Sequence, residues 1–192
     1  MTRWSYLTST ALAVTAIGLV SIMRMMPVLM WNASASVPVG LYAVRPFRRA
    51  TPGELVTAAP PKALAGLFDR RGYLPRGVPL MKHIAAVPGQ TVCRRGDTIT
   101  IDGTTIGTAL MRDSHRRPLP VWQGCRRLTD SQVFLMNARV HDSLDGRYFG
   151  PLPQNSIIGR AIPILTDEDG DGRYEWRALA DQHARLIPPQ PH

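Results

Sequence analysis

The chain has 192 residues, of which 44% are hydrophobic and 19% are charged. These proportions exclude an intrinsically disordered chain and leave enough apolar side chain for one folded domain with an appendage. The formal net charge is +9, which favours contact with anionic membrane lipid; no nucleic-acid partner is expected, because no helix-turn-helix, zinc-finger or aromatic stacking motif is visible.

The first 31 residues are predicted to form an N-terminal membrane anchor. Residues 5–23 carry no charge, and as a helix they would extend about 28 Å, close to the apolar thickness of a bilayer. They are therefore predicted to be a single transmembrane helix. The apolar segment from Met25 to Trp31 contains Pro27 and is predicted to lie at the membrane surface.

A cleavable secretory signal is the alternative interpretation of this region. Ala33-Ser34-Ala35 has the A-x-A form of a cleavage site. Cleavage there would separate the anchor from Ser36, the candidate nucleophile described below. The uncleaved anchor is therefore preferred.

Short strands dominate residues 32–192 and predict a mainly β domain. Asp97–Thr105 is predicted to be a hairpin, because Asp102-Gly103 accepts the positive φ angles of a tight turn. One helix is predicted, Pro61–Arg70, which begins at prolines and stops near Gly72. The predicted strands are rich in Val, Ile and Leu and are separated by Gly, Pro and Asp: Gly40–Val44, Glu54–Thr57, Pro79–Val87, Thr98–Ile101, Val133–Met136 and Ser156–Ile164.

Residues 94–129 are predicted to be an exposed excursion, because they contain many arginines and few large apolar side chains. Cys93 and Cys125 are the only cysteines, and they are predicted to form a disulfide in an oxidising compartment. Two free thiols are the alternative. The polar tail from Ala178 ends in prolines and is predicted to be poorly ordered.

Asp167–Gly172 has the D-x-D-x-D-G spacing of a calcium loop. Ala178 stands where such a loop needs a bidentate glutamate, and Glu175 falls earlier. An acidic turn leading into a strand at Tyr174 and Trp176 is therefore preferred. No metal site and no cofactor is predicted.

Ser36 and Lys82 are the candidate nucleophile and base. A serine hydroxyl needs a base to remove its proton, and a lysine can act as that base only when it is neutral. Lys82 follows Leu80-Met81 and, beyond His83, precedes Ile84–Val87. Burial on such an apolar strand would lower the pKa of its amine. Taken alone, each could be an ordinary surface residue.

Three segments together resemble the bacterial type I signal peptidases, and in particular the TraF-type peptidases that mature conjugative pilins. Ser36-Val37-Pro38-Val39-Gly40-Leu41-Tyr42 is similar to the Ser-x-Pro-x-Gly-x-Tyr form of the TraF group. The others are the lysine segment, from Lys82 to Gln90, and the closing segment, from Asp145 to Pro153. Gln90 and Gly146 replace the usual Asp and Ser, which affects the expected fine geometry rather than the reaction.

The resemblance implies a signal peptidase-like β-domain with a Ser/Lys dyad. Ser36 would attack the scissile carbonyl, and Lys82 would take its proton and pass it to the leaving amine. The backbone N–H of Ser36 and the hydroxyl of Ser34 would stabilise the oxyanion.

Further residues of the closing segment would support the dyad. Ser143, just before this segment, would form a hydrogen bond with Lys82 and orient it, and Asp145 would lie near the lysine and pair with Arg147. Histidine is the weaker candidate for the base, because neighbouring side chains of a strand project to opposite faces, as His83 would from Lys82. The other two candidates, His115 and His141, have no nearby fixed partner in sequence.

The resemblance also implies a location and a substrate class. The protein would be a single-pass protein of the bacterial inner membrane, with its catalytic domain in the periplasm. Its partner would be a precursor protein, most directly a conjugative pilin propeptide, with possible cyclisation of the pilin. A non-catalytic, membrane-tethered assembly factor of a pilus or secretion apparatus is the alternative function.

Overall fold

The computed structural model describes residues 3–22 and 29–177. Its strands are the main elements, which confirms the predicted mainly β class. The helices are α1 (Arg3–Ile22), α2 (Lys62–Arg70) and α3 (Gly146–Phe149). The strands are β1 (Leu29–Asn32), β2 (Val39–Arg45), β3 (Leu55–Ala58), β4 (Leu80–Ala86), β5 (Thr91–Arg95), β6 (Thr98–Ile101), β7 (Thr104–Thr108), β8 (Gly124–Arg127), β9 (Gln132–Leu135), β10 (Leu152–Pro153), β11 (Ile157–Asp167) and β12 (Glu175–Trp176).

Helix α1 occupies most of the predicted membrane span. The hydroxyls of Thr8, Ser9 and Thr15 donate hydrogen bonds to backbone carbonyls one turn earlier in this helix. Among residues 3–22 and 29–177, no helix is both long and apolar enough to cross a membrane. Met23 at the end of the predicted span, Arg24, residues 25–28 of the predicted surface segment and the tail from Ala178 lie outside the described residues.

A large antiparallel sheet holds the segments that were predicted to be functional. Its strand order is β1-β2-β11-β3-β4-β9-β10, and β12 pairs with β11. The core on this sheet includes Val56, Ile84, Val133 and Leu135, which are completely buried. Burial of such side chains is the main stabilising contribution to a β domain of this size. Lys82 on β4 pairs with Val56, and β9 pairs with β4 on the other side.

A second sheet is formed by residues 91–127, with the strand order β7-β6-β5-β8. Cys93 and Cys125 lie directly opposite each other on β5 and β8 and form the predicted disulfide, which is confirmed. One face of this sheet packs on the core, and Arg94 is buried there, whereas the sequence predicted an exposed segment. The many arginines of this segment suggested exposure, but side chains of a strand alternate between the two faces of the sheet. The apolar side chains at alternate positions are enough to cover the face that packs on the core.

The hairpin of β6 and β7 forms around the predicted Asp102-Gly103 turn. Both residues have positive φ, 48° for Asp102 and 84° for Gly103. Helix α2 begins one residue later than predicted, and most predicted strand ends differ from the structure by one to three residues. Strands β1, β5, β8 and β10 were not predicted, because several are short and lack the alternating apolar pattern of a half-buried strand.

The acidic segment Asp167–Gly172 forms a turn at the end of β11. The Asp167 carboxylate accepts hydrogen bonds from the backbone N–H groups of Gly170, Asp171 and Gly172. Both of its oxygens therefore stabilise the turn itself. The turn leads into β12, which pairs with β11 through Glu175 and Trp176, so the strand that was predicted at Tyr174 and Trp176 forms.

Candidate active site

The loop that carries Ser36 connects β1 to β2 and is shaped by Asn32. The buried Asn32 amide donates to the carbonyl oxygens of Ser34, Val37 and Pro38, at 2.7, 3.1 and 3.0 Å. Its own oxygen accepts from the backbone N–H of Ser34 at 3.2 Å. This residue fixes the turn that presents Ser36, although no sequence motif pointed to it.

Gly40 explains why the nucleophile segment has the form Ser-x-Pro-x-Gly. A Cβ atom at Gly40 would lie 2.2 Å from the carbonyl oxygen of Leu165 on β11. Only glycine therefore allows β2 to approach β11 this closely, and its φ of 153° is also rare for other residues. The close approach fixes the start of β2 and with it the end of the Ser36 loop.

The side chains of Lys82 and Ser36 are in direct contact. Lys82 Nζ lies 2.8 Å from Ser36 Oγ, and the lysine is only 4% exposed. Burial lowers the pKa of Lys82 to about 8; the charge of Asp145 opposes this change and that of Arg147 adds to it. A substantial fraction of the amine is then neutral near physiological pH, and a neutral amine can accept a proton from the hydroxyl.

The two groups that were predicted to bind the oxyanion lie beside the Ser36 hydroxyl. Ser34 Oγ is 3.0 Å from Ser36 Oγ and donates to it, and the backbone N–H of Ser36 donates to Ser34 Oγ over 3.3 Å. In this conformation the two groups are hydrogen-bonded to each other. A substrate oxygen that entered here would have to replace the Ser34 hydroxyl as the acceptor for the Ser36 N–H.

Asp145 and Arg147 form a buried ion pair. Arg147 Nε and Nη2 each lie 2.9 Å from one oxygen of Asp145, and both residues are at most 1% exposed. The Arg147 guanidinium also donates to backbone carbonyls just before the closing segment, including Val140 at 2.6 Å and His141 at 3.0 Å. The pair therefore holds this segment against β9, since the backbone N–H of Asn137 donates to Asp145 as well.

Gly146 departs from the signal peptidase pattern for a steric reason. A Cβ atom at Gly146 would lie 2.6 Å from the ring of Phe134 and 2.7 Å from the carbonyl oxygen of Leu135. The usual serine therefore does not fit at this position. The ring of Phe134 on β9 occupies the space that the serine side chain would need. Gly146 is therefore explained by packing against this ring.

Ser143 is placed differently from the prediction that it orients Lys82. It is 3% exposed, and its hydroxyl makes no hydrogen bond with any group in the described part of the chain. Ser143 and Lys82 line the same groove. The two side chains are therefore brought to one site, but the hydrogen bond between them is absent from this conformation.

Asn137 is the second site residue that the sequence analysis missed. It lies two residues beyond the end of β9, is 3% exposed, and donates from its amide nitrogen to the carbonyl oxygen of Ser36 at 2.6 Å. Its oxygen accepts from the backbone N–H of His83 at 3.0 Å and lies 2.9 Å from His83 Nδ1. The sequence shows only a polar residue after a predicted apolar strand, which does not by itself indicate this role.

The three histidines considered as possible bases, His83, His115 and His141, make no hydrogen bond with Ser36. His83 lines a different cavity from Lys82, as the alternation of side chains on β4 requires. Its ring contacts Asn137 instead of Ser36. His115 and His141 are exposed.

Ser36 and Lys82 line a groove of about 690 Å³, a size in the usual range for ligand sites. One wall comes from the loop between β1 and β2, and another from residues 73–80. The lining is mainly apolar and includes Met30, Leu74, Val78, Leu110 and Leu144. Asp142 is exposed within it and raises the pKa of Lys82 slightly against the larger effect of burial.

The wall formed by residues 73–80 is joined to the loop that contains Asp113, which also lines the groove. Tyr73, which follows α2, donates from its hydroxyl to Asp113 at 2.5 Å, and Arg117 Nε lies 2.6 Å from the same carboxylate. These hydrogen bonds keep the pKa of Asp113 well below its usual value although its desolvation acts in the opposite direction. The carboxylate therefore stays ionised and joins the two loops.

The family model described as "Signal peptidase, peptidase S26" matches residues 1–165. A protein of Agrobacterium fabrum named conjugal transfer protein TraF is 33% identical over 147 residues, which cover 70% of this chain and 81% of that protein. A probable conjugal transfer protein TraF of Sinorhizobium fredii is 37% identical over 145 residues, covering 70% and 76%. A crystal structure of a signal peptidase I from Enterococcus faecalis covers 62% of this chain and 98% of that one, with 17% identity and a TM-score of 0.33.

Proposed function

Because this chain belongs to the signal peptidase family, peptidase S26, we propose that it is a serine endopeptidase with Ser36 as the nucleophile and Lys82 as the general base. The single observation that supports this assignment most strongly is the 2.8 Å contact between Lys82 Nζ and Ser36 Oγ. A hydroxyl and a buried amine at this separation can exchange a proton without rearrangement.

In the proposed reaction the neutral amine of Lys82 takes the proton of Ser36 as its oxygen attacks the scissile carbonyl. The ammonium group then gives that proton to the leaving amine, and an acyl-enzyme remains on Ser36. The Ser36 N–H and the Ser34 hydroxyl hold the oxyanion after they separate from each other. Asp145 and Arg147 take no direct part in the proton transfer, because their role is to fix the closing segment beside the lysine.

The proposed substrate is a secreted precursor protein, and specifically the propeptide of a conjugative pilin. The names of the relatives from Agrobacterium fabrum and Sinorhizobium fredii support a place in conjugation. The apolar groove beside Ser36 fits an extended peptide with small, uncharged side chains. An amine of the same pilin could also resolve the acyl-enzyme, since an amine can replace water as the acceptor, and the product would then be cyclic.

We also propose that the protein is attached to the bacterial inner membrane and that its catalytic domain lies in the periplasm. Trp31 on β1, Tyr174 and Trp176 are all exposed, and the rings of Trp31 and Tyr174 lie 5.7 Å apart. Aromatic side chains grouped in this way are typical of a membrane interface. The disulfide agrees with an oxidising compartment.

The location is tested by membrane fractionation of the full chain followed by extraction with alkaline carbonate. Retention in the membrane would support an inserted anchor, and release by carbonate would indicate attachment at the surface only. Trp31→Ser with Trp176→Ser should weaken attachment relative to Met111→Ser, a control that removes another exposed apolar side chain. Recovery of all the protein in the soluble fraction would contradict the proposal.

The activity is tested by incubating the purified protein with the precursor of a conjugative pilin. Ser36→Ala and Lys82→Ala should each abolish the shorter product while the disulfide and the circular dichroism spectrum are retained. Ser131→Ala and Lys62→Ala are the matched controls, since both residues are exposed. Cleavage by Lys82→Ala at the wild-type rate would eliminate the dyad.

A folded wild-type protein that cleaves no precursor would instead favour the non-catalytic assembly factor. The mass of the product separates the two possible fates of the acyl-enzyme, because a cyclic product is one water lighter than a linear one.

A further inference from the structure

The side chain of Asn137 connects the two members of the dyad. Its amide nitrogen donates to the carbonyl oxygen of Ser36 at 2.6 Å and to that of Met81 at 3.3 Å. Its oxygen accepts from the backbone N–H of His83 and lies 2.9 Å from the His83 ring. It thus contacts the nucleophile residue itself and both chain neighbours of the base.

The orientation of this amide is determined by its partners. Two carbonyl oxygens require the NH₂ group on one side, and the backbone N–H of His83 requires the oxygen on the other. A flipped amide would place its oxygen against two other oxygens. The contact with Asn137 therefore also assigns the proton of the His83 ring to Nδ1.

The backbone of Asn137 is held as firmly as its side chain. Its N–H donates to Asp145 Oδ2 at 3.0 Å, and Asp145 is paired with Arg147. The residue is 3% exposed, so water does not compete for these hydrogen bonds. The ion pair, the end of β9, the base strand and the nucleophile loop are consequently joined at one residue.

We propose that Asn137 is a positioning residue, which holds the Ser36 loop against β4 so that Ser36 Oγ and Lys82 Nζ stay in contact. The inference rests on the proposed peptidase function for its kinetic consequence. Apart from the Lys82 contact itself, the other side-chain hydrogen bonds of the Ser36 loop come from Asn32, from the Tyr42 hydroxyl and from within the loop, and none of these reaches β4. Loss of Asn137 would let the loop move away from the lysine and let water take the place of the hydroxyl.

The test uses Asn137→Ala and the nearly isosteric Asn137→Asp, which keeps the acceptor for His83 but loses both donated hydrogen bonds. Asn155→Ala and Asn155→Asp are the matched controls at an exposed asparagine. Val133→Ala is a control for stability alone, because it truncates a buried side chain on β9 without contacting the dyad. Cleavage of a fluorogenic peptide that spans the pilin cleavage site gives kcat and KM.

Both Asn137 variants should lower kcat at least tenfold while KM stays within twofold, and the control variants should match the wild-type protein. The pH at which Lys82 titrates should also rise, because water would hydrate its ammonium form. This titration is followed by NMR of ¹³C-labelled lysine, which needs no substrate and therefore works even if the proposed activity fails.

The two possible failures are distinguishable. Wild-type kcat and an unchanged Lys82 titration in both Asn137 variants would overturn this inference and leave the proposed function intact. An inactive wild-type protein would overturn the proposed function, and the lysine titration would still decide whether Asn137 keeps the two side chains together.

Discussion

Raising the pH from 7 to 9 should increase the cleavage rate about tenfold if Lys82 is the base. Burial lowers the pKa of this lysine from 10.5 to about 8. The neutral fraction is then roughly 9% at pH 7 and roughly 90% at pH 9. A lysine in water would give a different ratio, since its neutral fraction would rise about a hundredfold over the same interval.

The size of the rise therefore measures the burial of the amine. Single-turnover cleavage of the fluorogenic peptide between pH 6 and 10 would report the chemical step without product release. NMR of ¹³C-labelled lysine on the same protein would give the titration directly, because the chain contains only Lys62 and Lys82. Lys62→Arg assigns the two signals and preserves the charge at the exposed site.

A rate that is flat from pH 6 to 9 would refute Lys82 as the base. A hundredfold rise, with both lysine signals titrating together above pH 10, would refute the dry environment instead. The second result would still allow the contact between Lys82 and Ser36. It would remove the physical basis for Lys82 as the general base, since an ammonium group cannot accept a proton.

Three other changes have consequences that the structure defines. Lys82→Met should stabilise the fold by up to about 3 kcal/mol below pH 8, because the native state disfavours the ammonium form of the wild-type lysine. The free energy of unfolding of the wild type rises with pH between 8 and 10.5. Chemical denaturation at pH 11 should therefore show little difference between the variant and the wild type. Gly146→Ser should lower the melting temperature through its clash with Phe134, and Phe134→Leu should relieve part of the loss if the clash is the cause. Replacing Cys93 and Cys125 by serine should lower the free energy of unfolding, measured with denaturant, by roughly 3 to 4 kcal/mol. The kcat should not change. A loss of kcat in the folded double variant would show that the second sheet contributes to the site.

Much of the fold could be predicted because its signals are local. The Asp102-Gly103 turn and strand β6 follow from the positive φ angles and the alternation that these residues favour. β4 was predicted because apolar residues flank Lys82, and its burial follows from the same pattern. The short edge strands β1 and β10 carry no such pattern, because their pairing is determined by neighbours distant in sequence.

The residues of the candidate site fall into the same two groups, those with a local sequence signal and those without one. The Ser36 and Lys82 segments were identifiable because each carries a motif. Asn137 and Asn32 carry none, and their roles arise only when the loop and the strands meet in space. The hydrogen bond predicted between Ser143 and Lys82 depended on a resemblance alone, and a side-chain rotamer is not fixed by a shared sequence segment.

The ion pair of Asp145 and Arg147 also bears on why burial alone dominates the pKa of Lys82. A free carboxylate at Asp145 would stabilise the ammonium form and keep the base protonated. Arg147 opposes that effect, since its charge lowers the pKa that the charge of Asp145 raises. The bidentate pairing keeps both charges at one place, so they act on the pKa of the lysine in opposite directions. The closing segment can therefore be held by a strong buried ion pair without supplying the lysine with a counterion that would disable it as a base.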